Sequence, residues 1–326
     1  MDCDDTITDQ SWDSMRALVT GCAGFIGSTL TDRLLQDGYE VIGIDRFSDY
    51  YARDLKEKNI ASAVKNPHFT LLEEDILEME RFPPVDYVFH LAAQAGVRAS
   101  WGKSFDIYTH DNIQATQRLL EFYKDTKLRK FVYSSSSSVY GDVPLPMRED
   151  QMVQPVSPYG VTKLAAEHLC FLYGKNYEVP IVSLRYFTVY GPRQRPDMGI
   201  NRFVRAILKG ETITIYGDGR QTRDFTYIDD AVEANLVAAT SSVQGEVFNI
   251  GGGNRITVID LVRAIEEATG KPAHSRHIGE QKGDVQDTWA DTGKAEKVLG
   301  WQPKVRIRKG LGRYVEWIKR MAGNHD

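Results

Sequence analysis

A chain of 326 residues, 42% hydrophobic, 10% aromatic and 26% charged, can bury a sizeable core and is neither a disordered nor a fibrous protein. Its formal net charge of -5 offers no broad basic surface to a nucleic-acid backbone, so no nucleic-acid partner is expected. The three cysteines, Cys3, Cys22 and Cys170, show no paired spacing and suit a reducing compartment.

Residues 1–14 carry five aspartates and no lysine or arginine, the reverse of a secretory signal or a mitochondrial presequence, and read as a disordered acidic tail. From Arg16 onward, short β-branched and aromatic runs (ALVT, VIGI, FTLL, YVFHL, FVYSS, PIVSLR) alternate with helical patterns. The helices are expected over residues 25–36, 105–124 and 158–174, the second with an apolar stripe of Ile113, Leu119, Leu120 and Tyr123. This alternation predicts an α/β fold, a Rossmann-type doubly wound parallel sheet, over residues 15–190.

Past Tyr190 comes a polar loop, Gly191-Pro192-Arg193-Gln194-Arg195-Pro196, and then a helix over about residues 201–209. A smaller C-terminal substrate-binding lobe is expected over 191–224 and 251–326. Between them, a helix over 229–240 and the strand EVFNIGGG return the chain to the first domain around 225–250. His274 and His277 have no acidic or cysteine partner at ligand spacing, so they read as a solvated loop and no metal site is expected. The most apolar stretches, such as residues 87–97, are interrupted by His90 and Gln94 and fall short of the roughly 20 residues that span a bilayer. A soluble, cytoplasmic protein without a membrane partner is expected.

The strand ALVT runs into Gly21-Cys22-Ala23-Gly24-Phe25-Ile26-Gly27, which opens a helix. Glycine suits a sharp turn, close approach to a pyrophosphate and helix-on-strand packing, and the helix N-terminus attracts the anion. Asp45 ends the next strand, near the offset of the acid that binds the adenosine ribose, and its charge favours NAD over NADP. Arg46 beside it can partly reverse that field. Asp75 stands either where an adenine amino group is bound or as a helix N-cap before Ile76. Leu91, Ala92 and Ala93 close the fourth strand at the carboxyl edge, where ligands collect.

Tyr159 and Lys163 stand four apart at the start of a helix and share one face. A free tyrosine loses its proton near pH 10; a lysine ammonium and a positive nicotinamide lower that, and about three units correspond to about 4 kcal/mol. Five serines, Ser134 to Ser138, end the preceding strand.

With these motifs, TGCAGFIG, HLAA, SSSSSVYG, YGVTK, LRYFTVYGPRQRPDM, TRDFTYIDD and TWAD in order, the chain resembles the extended short-chain dehydrogenase/reductase family, in its nucleotide-sugar epimerase branch. The resemblance implies a tightly held NAD and a UDP-sugar in the smaller lobe. It implies Tyr159 as the base, Lys163 holding the ribose and lowering the tyrosine pKa, and Ser136 sharing the hydrogen bond at the sugar O4. Related 4,6-dehydratases have Asp-Glu after the catalytic serine or threonine, and UDP-glucuronate decarboxylases typically have Glu at the second position. Here stand Ser137 and Ser138, donors that suit a substrate carboxylate.

Thr188 takes the place of the Asn usual in UDP-glucose 4-epimerases, and TVYGP followed by RPDM is similar to UDP-glucuronate 4-epimerases. Arg195 either faces the carboxylate or sits on the surface. Arg223 and Arg202 are the diphosphate candidates, whereas Gln281-Lys282-Gly283-Asp284 lacks the arginine many relatives have there. The reading is 4-epimerisation of UDP-glucuronate to UDP-galacturonate, with UDP-glucose 4-epimerase or UDP-glucuronate decarboxylase as alternatives and a non-catalytic NAD-sensing binding protein as another class. A homodimer is expected through helices 105–124 and 158–174. Phe105, Ile107, Tyr108, Phe122 and Tyr123 on the first, and Leu169, Phe171, Leu172 and Tyr173 on the second, exceed what one sheet face needs.

Overall fold

The computed structural model describes residues 14–279, 283 and 285–323, so the acidic tail and the Lys282 position lie outside the described residues. Each apolar run becomes a strand of one sheet: β1 Arg16–Thr20, β2 Glu40–Ile44, β3 Phe69–Leu72, β4 Tyr87–His90, β5 Lys130–Ser136, β6 Ile181–Tyr186 and β7 Glu246–Ile250. Their order is β3-β2-β1-β4-β5-β6-β7 and every pairing is parallel. Both faces are covered, which is why the strands are apolar throughout rather than alternating. Ala17, Val19, Val41, Phe89 and Val132 point into one core, while their neighbours Leu18, Ile42, Val88, Phe131 and Tyr133 point into another.

Helix α1, Phe25–Gln36, buries Leu30 and Leu34 in the first core with Ala231, Ala234 and Ala238 of the helix Ile228–Thr240. The second core receives Leu119 and Leu120 from Ala115–Tyr123, and Ala166 and Cys170 from Pro158–Tyr177. The stretch expected as one helix over 105–124 is α-helical at Phe105–Tyr108, π-helical at Thr109–Gln114 and α-helical again to Tyr123. The wide turn carries Asn112, whose side chain accepts from Gln94 N (2.8 Å) and donates to Gln94 O (3.1 Å) and Thr162 Oγ1 (2.9 Å). It thereby ties the loop after β4 to the helix bearing Tyr159 and Lys163.

The strand order reverses between β1 and β4, and that opens a crevice at the carboxyl ends of the sheet. Over it stands the smaller lobe, with helices Gly199–Lys209, Val258–Thr269 and Ile307–Gly323. Two aspartates of the TRDFTYIDD motif anchor this lobe. Asp224 accepts from the backbone of Gly252 and Ala290 (3.0 Å each), and Asp230 from Lys304 (2.9 Å) and Val305 (3.0 Å).

One expectation fails here. His274 and His277 lie in a strand, His274–Ile278, that pairs in parallel with Thr212–Tyr216. All five of its residues are exposed, so backbone pairing and the polar side chains of Arg276 and His277 hold it and no apolar period marked it in the sequence. Among the described residues, no group of three or more His, Cys, Asp or Glu is placed to hold a metal ion, and no helix is long and apolar enough to cross a membrane.

Candidate active site

The crevice begins at the glycine loop. Gly21 turns with φ +70°, and a Cβ there would stand 2.9 Å from the Ala92 nitrogen, while a Cβ at Gly27 would overlap the Gly21 carbonyl oxygen. The chain can therefore make this turn only with glycine at both places. Gly24 heads α1 without a side-chain cap and no acid stands in the first turn, so the N–H groups of Phe25, Ile26 and Gly27 are free of any side-chain anion. All three line the crevice together with Leu91, Ala92, Ala93, Tyr159, Lys163 and Arg195.

A buried polar chain fixes the opposite wall. Thr116 Oγ1 donates to Asn112 O (2.7 Å) and pairs with His90 Nε2 (2.9 Å); His90 Nδ1 pairs with Thr20 Oγ1 (2.7 Å), which accepts from the nitrogens of Leu91 (3.2 Å) and Ala92 (3.1 Å). Burial, reinforced by the Lys163 charge, pushes the imidazole pKa down to about 3, so His90 works as a neutral bridge.

Towards the adenosine end, Asp45 accepts from Ala23 N (3.1 Å) and Phe47 N (2.8 Å), which turns its carboxylate along the crevice floor. Arg46 reaches away, to Asp75 (2.8 Å) and Asp111 (2.8 Å), so its charge is already matched. Asp75 caps a turn rather than a helix: its second oxygen accepts from Leu77 N at 2.9 Å, and Ile76 is buried beside it. Asp45, Arg46, Asp75 and Ile76 line one continuous hollow with Ala92 and Ala93.

At the other end, Ser136 stands close enough to Tyr159 to act on its hydroxyl, and the tyrosine ring meets Tyr108 edge-on at 6.2 Å between centroids. Burial raises the tyrosine pKa, while the Ser136 hydrogen bond and the Arg195 charge pull it down. Arg195, whose place the sequence left open, thus lies where its charge acts on Tyr159. Lys163 is buried, stands 4.5 Å above the Tyr133 ring, and burial lowers its pKa to about 8. Gly160 lets the helix N-terminus lie against the Ser138 carbonyl, where a Cβ would collide.

Ser137 and Ser138 form the short turn after β5, and the Ser138 nitrogen donates to Ser136 Oγ at 3.1 Å. Thr188, Arg202 and Arg223 line a second hollow in the smaller lobe with Arg98, Tyr216 and Phe225, and Arg98 stacks 4.0 Å from the Tyr216 ring. Arg223 donates to Thr222 O and Gln286 O (2.8 Å each).

Several residues of the crevice carry no motif in the sequence. Tyr50, Tyr51 and Lys56 line it; Lys56 is buried and donates to Ser48 O at 2.7 Å. Tyr50 OH donates to Asp197 (3.3 Å), which also takes both arms of Arg195 (3.0 Å each), so loops 147 residues apart meet across the crevice. Of the serine run it is Ser134 and Ser135 that line the crevice, ahead of Ser136, Ser137 and Ser138.

Residues 17–251 match the model of the NAD dependent epimerase/dehydratase family, and the chain belongs to that family. It is 41% identical over 310 residues to the UDP-glucuronate 4-epimerase of Thermodesulfobacterium geofontis, covering 93% of this chain and 95% of that protein. It is 43% identical over 309 residues to an uncharacterized UDP-glucose epimerase of Bacillus subtilis, covering 93% of this chain and 98% of that one. The crystal structure of UDP-glucuronic acid 4-epimerase from Bacillus cereus, in complex with UDP-glucuronic acid and NAD, superposes with a TM-score of 0.91 at 45% identity, over 94% of this chain and all of that one (100%).

The uncapped helix and the glycine cradle fit the pyrophosphate of NAD, the family's cofactor. Asp111→Asn should release one arm of Arg46 towards a 2′-phosphate. With a charged hydrogen bond worth about 1.5–3 kcal/mol, NADP+ affinity relative to NAD+ should rise about tenfold or more, read by calorimetry on NAD-stripped protein. An unchanged ratio would place Arg46 away from the ribose.

Proposed function

We propose that this protein is a UDP-glucuronate 4-epimerase, interconverting UDP-glucuronate and UDP-galacturonate without loss of the carboxylate. The observation that carries the reading is local. Tyr159, Lys163 and Arg195 line one crevice with Ser136 acting on the tyrosine, and the two positions after Ser136 are hydroxyls, where an elimination would need an acid and a base.

When bound, NAD+ takes the C4 hydrogen as hydride, returns it to the opposite face, and adds a positive charge beside Tyr159. The protein's part is proton handling and aim. Tyr159 takes the O4 proton and gives it back, with Ser136 sharing the hydrogen bond. Lys163 donates to the ribose. Gly21, Gly24, Phe25, Ile26, Gly27, Asp45, Asp75, Ile76, Leu91, Ala92 and Ala93 hold the dinucleotide, and the smaller lobe holds UDP through Arg202 and Arg223. Thr188, at the rim of that hollow, faces the sugar together with Ser137 and Ser138.

Incubation with UDP-glucuronate, followed by chromatographic separation of the sugar nucleotides, should yield UDP-galacturonate with no net accumulation of reduced nicotinamide. Stoichiometric reduction of NAD+ would make the protein a dehydrogenase. Conversion of UDP-glucose but not UDP-glucuronate would make it a UDP-glucose 4-epimerase.

The protein works in this reading as a cytoplasmic homodimer. Tyr108 and Tyr123, expected at the contact, are buried inside the subunit, their hydroxyls on Gly96 O (2.7 Å) and Pro83 O (2.9 Å). The helix Pro158–Tyr177 instead leaves Val161, Phe171, Leu172 and Tyr177 about half exposed (47%, 53%, 48% and 51%). Light scattering at micromolar concentration should give twice the chain mass, and Leu172→Asp should shift it towards the monomer. A monomeric wild-type chain would refute the pairing.

A further inference from the structure

One turn beyond Lys163, on the same helix face, stands Glu167, and its carboxylate is buried (side chain 7% exposed). Such a group is costly unless every lone pair is engaged. Here the engagement runs to both neighbouring strands. Arg185, on β6, donates from Nη2 to Oε1 (2.5 Å) and from Nε to Oε2 (3.0 Å); Ser135, on β5, donates its hydroxyl to Oε2 (2.6 Å). Arg185 is fixed in turn by the Tyr140 ring, 4.7 Å away, and the Tyr140 hydroxyl donates to Asn249 Oδ1 (2.7 Å) on β7.

Two consequences follow for the reacting groups. Ser135 directly precedes Ser136, so its bond to Glu167 fixes the strand end that carries the hydroxyl on Tyr159. The groups facing Lys163 are Glu167 and Cys170 on its own helix, Tyr133 on β5 and His90 on β4, and Tyr159 lines the same crevice. Burial keeps Cys170 and the two tyrosines protonated and His90 neutral, so Glu167 is the anion of this set.

We propose that Glu167 is a positioning residue of the active site: through Ser135 it places Ser136, and its charge keeps the buried Lys163 an ammonium, with Arg185 clamping it to the sheet. The proposal rests on the reading of Ser136, Tyr159 and Lys163 as the reacting set.

Glu167→Gln retains size and an acceptor but removes the charge. In the holoenzyme, the alkaline limb of the kcat profile should move down by about one pH unit, the scale on which an opposite charge a few ångströms away acts. NAD+ retained through gel filtration should fall off at correspondingly lower pH, since Lys163 holds the ribose only while protonated. Ser135→Ala leaves the ion pair in place; it should lower kcat several-fold at unchanged KM without moving the limb. Glu167→Asp should restore the limb's position.

If Glu167→Gln does not fold, Glu167→Gln combined with Arg185→Leu removes both charges together and must move the limb in the same direction by a smaller amount, because the opposing cation is lost with the anion. Limbs and retention profiles coincident with wild type in a folded variant overturn the proposal. A wild-type protein that retains NAD+ but leaves UDP-glucuronate unchanged overturns the functional reading instead, and the retention profile still decides the part of Glu167.

Discussion

Tyr159→Phe is expected to cut turnover by at least about 10²–10⁴-fold, the span of a general acid-base contribution, while the protein folds and keeps NAD bound. The substitution removes one oxygen. The ring's edge-on packing with Tyr108 survives, and the neighbouring Ser136 is half-buried and keeps its bond from the Ser138 nitrogen. What disappears is the atom that moves the O4 proton.

The size of the loss follows from the electrostatics at that atom. Burial works against ionisation of Tyr159, and the Ser136 hydrogen bond and Arg195 work for it. Neither neighbouring base takes its place: His90 is neutral and fully engaged, and Lys163 is held over Tyr133. Measured kcat with UDP-glucuronate decides the matter, and turnover within a few-fold of wild type would remove Tyr159 from the mechanism.

Much of this arrangement was legible in the residues. All seven sheet strands coincide with the apolar runs, since a strand buried on both faces cannot alternate and so stands out as a continuous β-branched block. The glycine loop was legible because the turn tolerates no Cβ at Gly21 or Gly27. Tyr159 and Lys163 were legible because four residues on a helix is a local spacing.

Other features depend on chain segments that come together only in the fold. Tyr50 meets Asp197 from 147 residues away, and Lys56 enters the crevice from the mostly polar helix Arg53–Ile60. The parallel pair Thr212–Tyr216 with His274–Ile278 was missed for the same reason: its second strand is wholly exposed and has no apolar signature. Glu167 was within reach, because it continues the Tyr159, Lys163 spacing by one more turn. Its meaning appears only with Arg185, which arrives on a different strand.

The division of labour around the substrate carboxylate sets the second large effect. Oxidation at C4 puts a ketone β to the C5 carboxylate, which then leaves as CO2 whenever its bond to C5 aligns with the carbonyl π system. An equatorial carboxylate lies near the carbonyl plane and is protected. The protein must hold it there before and after the sugar turns its other face to the cofactor. Ser137 and Ser138 sit on the turn that follows the catalytic strand, with the Ser138 carbonyl fixed against Gly160, while Thr188 follows β6 and lines the hollow of the smaller lobe. Neutral donors at two sides can grip the group in both orientations.

Each hydrogen bond to a charged group is worth about 1.5–3 kcal/mol, so Ser137→Ala, Ser138→Ala and Thr188→Ala should each raise KM for UDP-glucuronate about tenfold or more. Each should also raise the share of turnover that ends as the decarboxylated UDP-4-keto-pentose. Ser138→Glu should raise it most, because a second carboxylate at that position repels the first out of the plane. The ratio of UDP-4-keto-pentose to UDP-galacturonate is the measurement. An unchanged ratio with unchanged KM across all three alanine variants would place the carboxylate away from Ser137, Ser138 and Thr188, and would favour a substrate that carries none.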